Sequence, residues 1–238
     1  MGRTVDPAKR IPVLVELFTS EGCSSCPSAD TLLMRLQQEQ PVDGALIIPL
    51  SEHVDYWDNA SWRDRFSSAK FSQRQGQYVQ ALHSNGAYTP QMVVDGQNEF
   101  VGSDEDTALN WISAATNRRK ANVEVQTAPS APGSFNAKVS ITGLESTKHE
   151  SENEVFVAIT ENNLGTHVQG GENGGRLLSH TAVVRSLQRI GEIQGGASFQ
   201  SQVLLKVDSH WKAKDLSIVA FVQARKSGRI LGAGITAL

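Results

Sequence analysis

Two cysteines, three positions apart, constrain the fold of this chain more than any other feature. Cys23 and Cys26 are the only cysteines among the 238 residues, so a scaffold held by several disulfides is excluded. They lie between a continuous apolar run, residues 12–18, and a segment, residues 29–36, whose apolar side chains recur at helical spacing. A Cys-x-x-Cys pair between a buried strand and an amphipathic helix is typical of a redox centre.

The pattern after the cysteines extends this unit as far as residue 118. The first helix must end near Gln40 because Pro41 follows, and a second apolar run then completes a right-handed βαβ unit with parallel strands. The further predicted elements are a helix at 60–83, a strand at 91–94, a returning strand at 99–101 and a helix at 103–118. This order, β-α-β-α-β-β-α, is the thioredoxin topology.

From about residue 121 the helical periodicity disappears. Seven short β-rich runs separated by turn residues follow, a pattern that predicts an antiparallel sandwich. We therefore expect an α/β thioredoxin-like domain, residues 1–120, followed by an all-β antiparallel sandwich-like domain, residues 121–238. The second domain shows no obvious catalytic set and is expected to dock a partner or to pair two chains as a homo-oligomer.

The second half also contains polar residues without a clear pattern. His167, His180 and Arg185 form no recognisable constellation in the sequence. The glycine-rich segment 170–175 lacks the Lys-Ser/Thr pair of a phosphate-binding loop and is interpreted as a long hairpin turn.

Net charge and hydrophobic pattern limit which partners and which cellular location are expected. The net charge of −3 gives no basic footprint, so nucleic acid is not expected to bind. The longest apolar runs have the length of strands, and no membrane span is predicted. Residues 1–10 are polar and contain no apolar signal core. We therefore expect either a cytoplasmic protein or a mature form whose targeting segment has been removed.

The two cysteines are expected to have different roles. A helix N-terminus lowers the pKa of a nearby thiol, because its free N–H groups favour the thiolate. Cys23, nearer the open turn, is predicted to be the nucleophile, and Cys26 the more buried resolving thiol. Glu21 adds negative charge two residues before Cys23, so a strongly oxidising centre is not expected. A structural disulfide or half of a metal site are the alternatives.

Pro90 and Glu16 are the next candidates for the site. Pro90 opens the strand expected to run beside the cysteines, and a cis Thr89–Pro90 bond would present the backbone of Thr89 to an extended peptide. An ordinary trans proline is the alternative. Glu16 lies in the middle of an apolar run and could relay protons to Cys26, or it could lie at an edge with its carboxylate in solvent.

The segment after the second strand emerges at the same edge of the sheet as Cys23. Tyr56 and Trp57 could form one wall of a substrate groove, and His53 with Asp55 could tune the thiols or complete a metal site. Aromatic packing beside a solvated acidic loop is the alternative for each of them.

Three segments together resemble a known family. Residues 16–27, 53–58 and 88–94 are similar to the bacterial family catalogued as domain of unknown function 1223, and the likeness spans most of the chain, including residues 174–185. The resemblance implies a thioredoxin-like domain followed by a β-rich domain, and export to the periplasm or beyond. It implies no substrate.

The Cys-x-x-Cys-Pro and Thr-Pro elements also resemble the wider thioredoxin superfamily. That resemblance implies the roles given above to Cys23, Cys26 and Pro90. Glu16 is offset by one position from the superfamily's buried acid, so the resemblance assigns it no role.

The sequence thus predicts thiol–disulfide exchange, as an oxidoreductase or isomerase, on protein or small-molecule thiols and disulfides. No cofactor is predicted. A first alternative is a copper- or zinc-binding or delivery protein, since Cys23, Cys26 and His53 offer soft and borderline ligands. A second alternative is a binding module whose disulfide is merely structural.

Overall fold

The computed structural model describes residues 10–146 and 152–238. It contains three α-helices within these ranges: α1 (Cys26–Glu39), α2 (Ala69–Ala81) and α3 (Glu105–Ala115). The strands are β1 (Ile11–Thr19), β2 (Ala45–His53), β3 (Gln91–Val94), β4 (Asn98–Val101), β5 (Asn122–Pro129), β6 (Ser134–Thr142), β7 (Glu152–Glu161), β8 (Leu164–His167), β9 (Leu177–His180), β10 (Val183–Gln194), β11 (Phe199–Lys206), β12 (Leu216–Ala224) and β13 (Ile230–Ala237). The protein is a mixed α/β structure in which strands predominate.

A mixed sheet of eight strands organises the chain. Its order is β13-β12-β7-β10-β2-β1-β3-β4, so strands from both halves of the sequence share one sheet. β2 pairs in parallel with both β1 and β10, and the other neighbours pair antiparallel. A three-stranded sheet, β11-β6-β5, packs against β7 and β12 through a large apolar cluster.

Both faces of the central strands are covered, which explains why their sequences are almost continuously apolar. Alternate residues of β1 point to opposite faces. Val13, Val15 and Leu17 pack with α1 and α3, whereas Leu14 packs with residues of β2, α2 and β12. The cysteine motif follows the end of β1, so this packing fixes the position of the site.

The predicted order of elements in the first half is observed, but the second helix is shorter than predicted. α2 begins only at Ala69, after Ser68, whose hydroxyl accepts a hydrogen bond from the N–H of Lys70. The expectation of a helix from residue 60 is wrong. The aromatic residues at 62 and 66 belong to the loop that precedes the helix, where Phe66 is buried.

The second half contains the hairpin whose turn was predicted at residues 170–175, although its two strands were not predicted. β8 and β9 form a two-stranded antiparallel sheet of their own. β9 lies beside α1. Each strand has only four residues, too few for an alternating pattern to stand out.

Contacts also cross the predicted boundary at residue 120. The ammonium group of Lys120 lies 2.6 Å from the Asp95 carboxylate and donates to the carbonyl of Ile230 at 3.0 Å. The backbone N–H of Ile230 in turn donates to the carbonyl of Asp95. The division into residues 1–120 and 121–238 stays a prediction. Among the described residues, no helix is long and apolar enough to cross a bilayer.

Candidate functional site

A disulfide between Cys23 and Cys26 lies at the N-terminus of α1. Cys26 is the first residue of the helix, and Pro27 follows within its first turn. Proline suits this position because its missing N–H would have no partner there. The Ser25 hydroxyl lies 3.3 Å from the sulfur of Cys23. The pair is thus placed where a helix N-terminus favours a thiolate, and this geometry is compatible with thiol chemistry.

The position of Cys23 differs from the expectation. Its exposed fraction is 1%, close to the 0% of Cys26, so neither cysteine faces an open turn. The β8–β9 loop, residues 168–176, from the second half of the chain contacts the backbone of the cysteine motif. The side chain of Asn173 in this loop is buried and donates to the backbone carbonyls of both Glu21 and Cys23.

Pro90 lies at the same edge of the sheet. The Thr89–Pro90 bond is cis, as predicted. β3 pairs with β1 so that Gln91 faces Phe18, and this register brings Pro90 beside the end of β1 that leads into the cysteine motif. The proline also lies close to Gly102, opposite Ala29 of α1.

The two aromatic residues predicted to line a groove lie next to these elements. The indole N–H of Trp57 donates to the hydroxyl of Thr89 at 2.7 Å, and the Trp57 Cβ packs closely against Gly22. Tyr56 is 48% exposed and donates to Gln75. The structure therefore brings Thr89, Tyr56 and Trp57 together beside the cysteine motif.

His53 does not line that groove. Its side chain is buried, and its Nδ1 lies 2.7 Å from the Asp64 carboxylate. Burial by itself would lower the pKa of His53, but the charge and the hydrogen bond of Asp64 outweigh burial and raise it. Asp64 therefore favours the protonated imidazole in the interior.

Asp64 is the counter-charge of His53. It also accepts hydrogen bonds from the backbone N–H groups of Glu21 and Phe66, both at 2.9 Å. Burial tends to raise the pKa of Asp64, but the charge of His53 and these hydrogen bonds lower it to about 2. Asp64 therefore ties the loop before α2 both to β2 and to the residue two positions before Cys23.

A second buried histidine lies beneath the cysteine motif. His180 of β9 lies 3.4 Å from the Glu21 carboxylate and 3.7 Å from that of Asp30, and its ring centroid is 4.9 Å from that of His53. The prediction that His180 belongs to no constellation was therefore wrong. Burial raises the pKa of Asp30, although the two histidines oppose this effect.

Asp30 is the member of this cluster that the sequence could have revealed. It lies four residues after Cys26, so both residues share one face of α1. Its neighbours Ala29 and Leu33 are buried. An acidic residue among the buried positions of a helix signals a polar partner in the core.

Glu16 is neither at an edge nor in solvent. β1 lies between β2 and β3, and the Glu16 carboxylate is fully buried, 2.6 Å from the guanidinium of Arg74 and 2.5 Å from the hydroxyl of Tyr78. Since Val15 and Leu17 face α1, Glu16 points to the opposite face of the sheet from the helix that carries Cys26. These contacts indicate a structural ion pair, and none of them supports a proton relay to Cys26.

The alternative metal set is not assembled. Among residues 10–146 and 152–238, no group of three or more His, Cys, Asp or Glu side chains is arranged to hold a metal ion. Cys23 and Cys26 are bonded to each other, and the Nδ1 atom of His53 is engaged by Asp64.

The comparison with known families agrees with the resemblance noted in the sequence. Residues 14–223 match the family described as "Protein of unknown function (DUF1223)". The chain belongs to this family. No curated protein matches it.

Two solved structures share the architecture of this DUF1223 protein. Protein AGR_C_4864 from Agrobacterium tumefaciens is 27% identical, with a TM-score of 0.73 over 95% of this chain and 94% of that one. HBP35 of Porphyromonas gingivalis is 17% identical, with a TM-score of 0.68 over 96% of this chain and 76% of that one. The second likeness shows a common fold alone.

Proposed function

We propose that this protein performs thiol–disulfide exchange through Cys23 and Cys26. The observation that carries the proposal is the placement of this pair as a disulfide at the N-terminus of α1. The aromatic side chains of Tyr56 and Trp57 lie next to it at one edge of the sheet. A helix N-terminus stabilises the thiolate that attacks, and the adjacent groove offers a place for the partner.

The chemistry balances with two cysteines and one partner disulfide. In the reduced protein, the Cys23 thiolate attacks one sulfur of the partner disulfide, and the other partner sulfur leaves as a thiolate. Cys26 then attacks the sulfur of Cys23, releases the second partner thiolate and restores the Cys23–Cys26 disulfide. The partner gains two electrons and the protein loses two. The reverse sequence oxidises a partner dithiol.

The proposal includes the architecture and the location. The order of elements in residues 11–115 supports a thioredoxin-like unit, and the packing of β5, β6 and β11 on β7 and β12 supports a sandwich-like second part. We place the protein in the periplasm or outside the cell, because a disulfide persists in oxidising compartments. The family resemblance points the same way.

One observation favours a second function, a binding module with a structural disulfide. Both cysteines are buried, at 1% and 0% exposure. Structural disulfides resist reduction, whereas catalytic ones must be reached by another sulfur. The two functions therefore differ in what the disulfide does when thiols are offered.

The test compares the two single-cysteine variants in an oxidising compartment. Cys26→Ser keeps the attacking thiol without its resolving partner, so mixed disulfides with partner proteins should accumulate on Cys23 and appear as reducible bands on non-reducing gels. Cys23→Ser should trap few partners, because the side chain of Cys26 has no exposed surface. The variant that lacks both cysteines is the control.

The outcome of this test also distinguishes thiol–disulfide exchange from the second function, a binding module with a structural disulfide. Equal trapping by both single variants, or no trapping under conditions in which a known thioredoxin variant traps partners, would contradict exchange. A disulfide that additionally stays oxidised in a glutathione redox buffer would identify it as structural.

A further inference from the structure

The β8–β9 loop is joined to the cysteine motif by one deeply buried side chain. Asn173 has 0% exposure, although its neighbours Glu172 and Gly174 are exposed. Its Nδ2 group donates to the carbonyl of Glu21 at 2.9 Å and to that of Cys23 at 2.8 Å. A single amide therefore uses both of its donor hydrogens on the backbone of the cysteine motif.

Weaker contacts hold the rest of the loop against the motif. The Glu172 carboxylate accepts from the backbone N–H of Ser24 at 3.0 Å, and the guanidinium of Arg176 donates to the side-chain oxygen of Asn173 at 2.8 Å. The bond to Glu172 is accessible to solvent, which competes for the same groups, whereas the bond from Arg176 is partly buried and lies within the loop. The buried bonds of Asn173 are thus the strongest polar contacts between the loop and the motif.

The β8–β9 loop has a paired base and two glycines with positive φ angles. Its two ends are paired, since the N–H of Val168 donates to the carbonyl of Arg176. Gly171 and Gly175 have φ angles of +71° and +83°, a backbone region that glycine enters without steric cost. Gly170 packs directly on the backbone of Ser61, where a side chain would collide. The base of the loop is therefore closed by a backbone hydrogen bond, and its turn uses conformations that favour glycine.

The covered disulfide cannot react in this arrangement. Exchange requires an incoming sulfur to reach a sulfur of the disulfide, and the rate depends on that access. Cys23, the residue expected to form the mixed disulfide, is 1% exposed beneath Asn173. A conformational step must therefore precede any reaction at Cys23.

We propose that the β8–β9 loop is a lid over the disulfide and that Asn173 is its latch. Opening breaks the two hydrogen bonds from Asn173 to Glu21 and Cys23 and exposes Cys23 to an incoming thiol or thiolate. The proposal rests on the proposed function, since it describes the regulation of access to the same site. Asn173 is a positioning residue, because it controls the site without touching the reacting sulfurs.

The experiment measures how fast the disulfide of the intact protein is reduced. Excess dithiothreitol converts the disulfide to two thiols and is itself oxidised to a cyclic disulfide. Samples are quenched in acid, the free thiols are alkylated, and the mass increase gives the rate constant. Asn173→Ala removes the latch, and Asn173→Asp replaces the amide donor by a carboxylate that repels the two carbonyls. Asn122→Ala, in which an exposed asparagine is lost, is the matched control.

We expect about a tenfold or greater increase in the reduction rate for Asn173→Ala, the change that loss of two hydrogen bonds of the closed state predicts. Asn173→Asp should react faster still, and Asn122→Ala should react at the wild-type rate. Glu172→Gln keeps the buried latch and weakens only the contact to Ser24, so it should give a smaller increase. This milder variant preserves the test if substitution of Asn173 disturbs folding.

Equal rates for wild type and the Asn173 and Glu172 variants would overturn the lid. Equilibration of the same proteins with glutathione distinguishes this failure from that of the proposed function. If the reduction rates are equal but glutathione reduces and reoxidises Cys23 and Cys26, the lid proposal is wrong and the exchange function is supported. If the Asn173 variants react faster but the disulfide stays oxidised at every glutathione ratio, the lid is right and the exchange function is wrong.

Discussion

The buried pair of His53 and Asp64 should make a measurable, pH-dependent contribution to stability. Asp64→Asn keeps the size of the side chain but removes the charge that holds His53 protonated. The pKa of Asp64 falls from the usual 3.8 to about 2 in the folded protein. A shift of this size corresponds to about 2 kcal/mol of stability wherever Asp64 is ionised in both states.

The sign of the effect follows from the direction of the shift. A carboxyl whose pKa is lowered by folding stabilises the protein above its unfolded pKa, and this stabilisation is lost as the pH falls through the folded value. At pH 5 the full contribution of about 2 kcal/mol should be present, and at pH 3 about half of it should remain. In the wild-type protein the pKa of His53 is raised from 6.5, so the contribution of His53 itself is constant between pH 5 and pH 3.

Urea unfolding of wild type and Asp64→Asn at pH 5, 4 and 3 measures the difference in unfolding free energy. The chain offers a matched control in Asp208 and His210, whose side chains are also 2.7 Å apart but lie at the surface. Asp208→Asn should produce no measurable change, because solvent screens an exposed pair. A loss for Asp64→Asn that is the same at pH 3 as at pH 5, or no larger than that of the control, would refute the reasoning.

Two further predictions concern the core. Arg74→Met should lower the unfolding free energy by about 3–5 kcal/mol, because it leaves the carboxylates of Glu16 and Glu52 buried without their cation. Arg35→Met, at an exposed pair, should leave it nearly unchanged, and similar losses in denaturant titrations of the two variants would contradict this account. The fragment 1–120 should aggregate or form oligomers on size exclusion, since removal of β10 and β12 uncovers the edge of β2 and the apolar face that they cover. A soluble monomeric fragment would contradict this prediction and show that the uncovered apolar surface does not cause association.

Local patterns in the sequence predicted the elements around the cysteines well. The continuous apolar run of β1 indicated a strand covered on both faces, and Pro41 correctly marked the end of α1 near Gln40. The cis bond before Pro90 was also anticipated from its place in the order of elements. In these cases the physical cause lies within a few residues of its effect.

What the sequence did not reveal depends on distant segments. Nothing local shows that β10 pairs with β2, because an apolar strand carries no mark of its neighbour. Asn173 reaches Cys23 across 150 positions, and His180 reaches Glu21 from the same hairpin. Glu16 was misjudged because its partner Arg74 lies 58 positions further along the chain.

The pairing of β10 with β2 also sets an order of assembly. Ser51 of β2 and its partner Val183 are separated by more than half of the chain, whereas Cys23 and Cys26 are separated by two residues. Because a growing chain emerges from its N-terminus, the cysteines are available to oxidants well before Asn173 has been synthesised. The partly synthesised chain therefore carries an accessible pair of cysteines beside the unpaired edge of β2. Both become covered only when the second half arrives, so oxidation of the cysteines and completion of the fold are separate events in time.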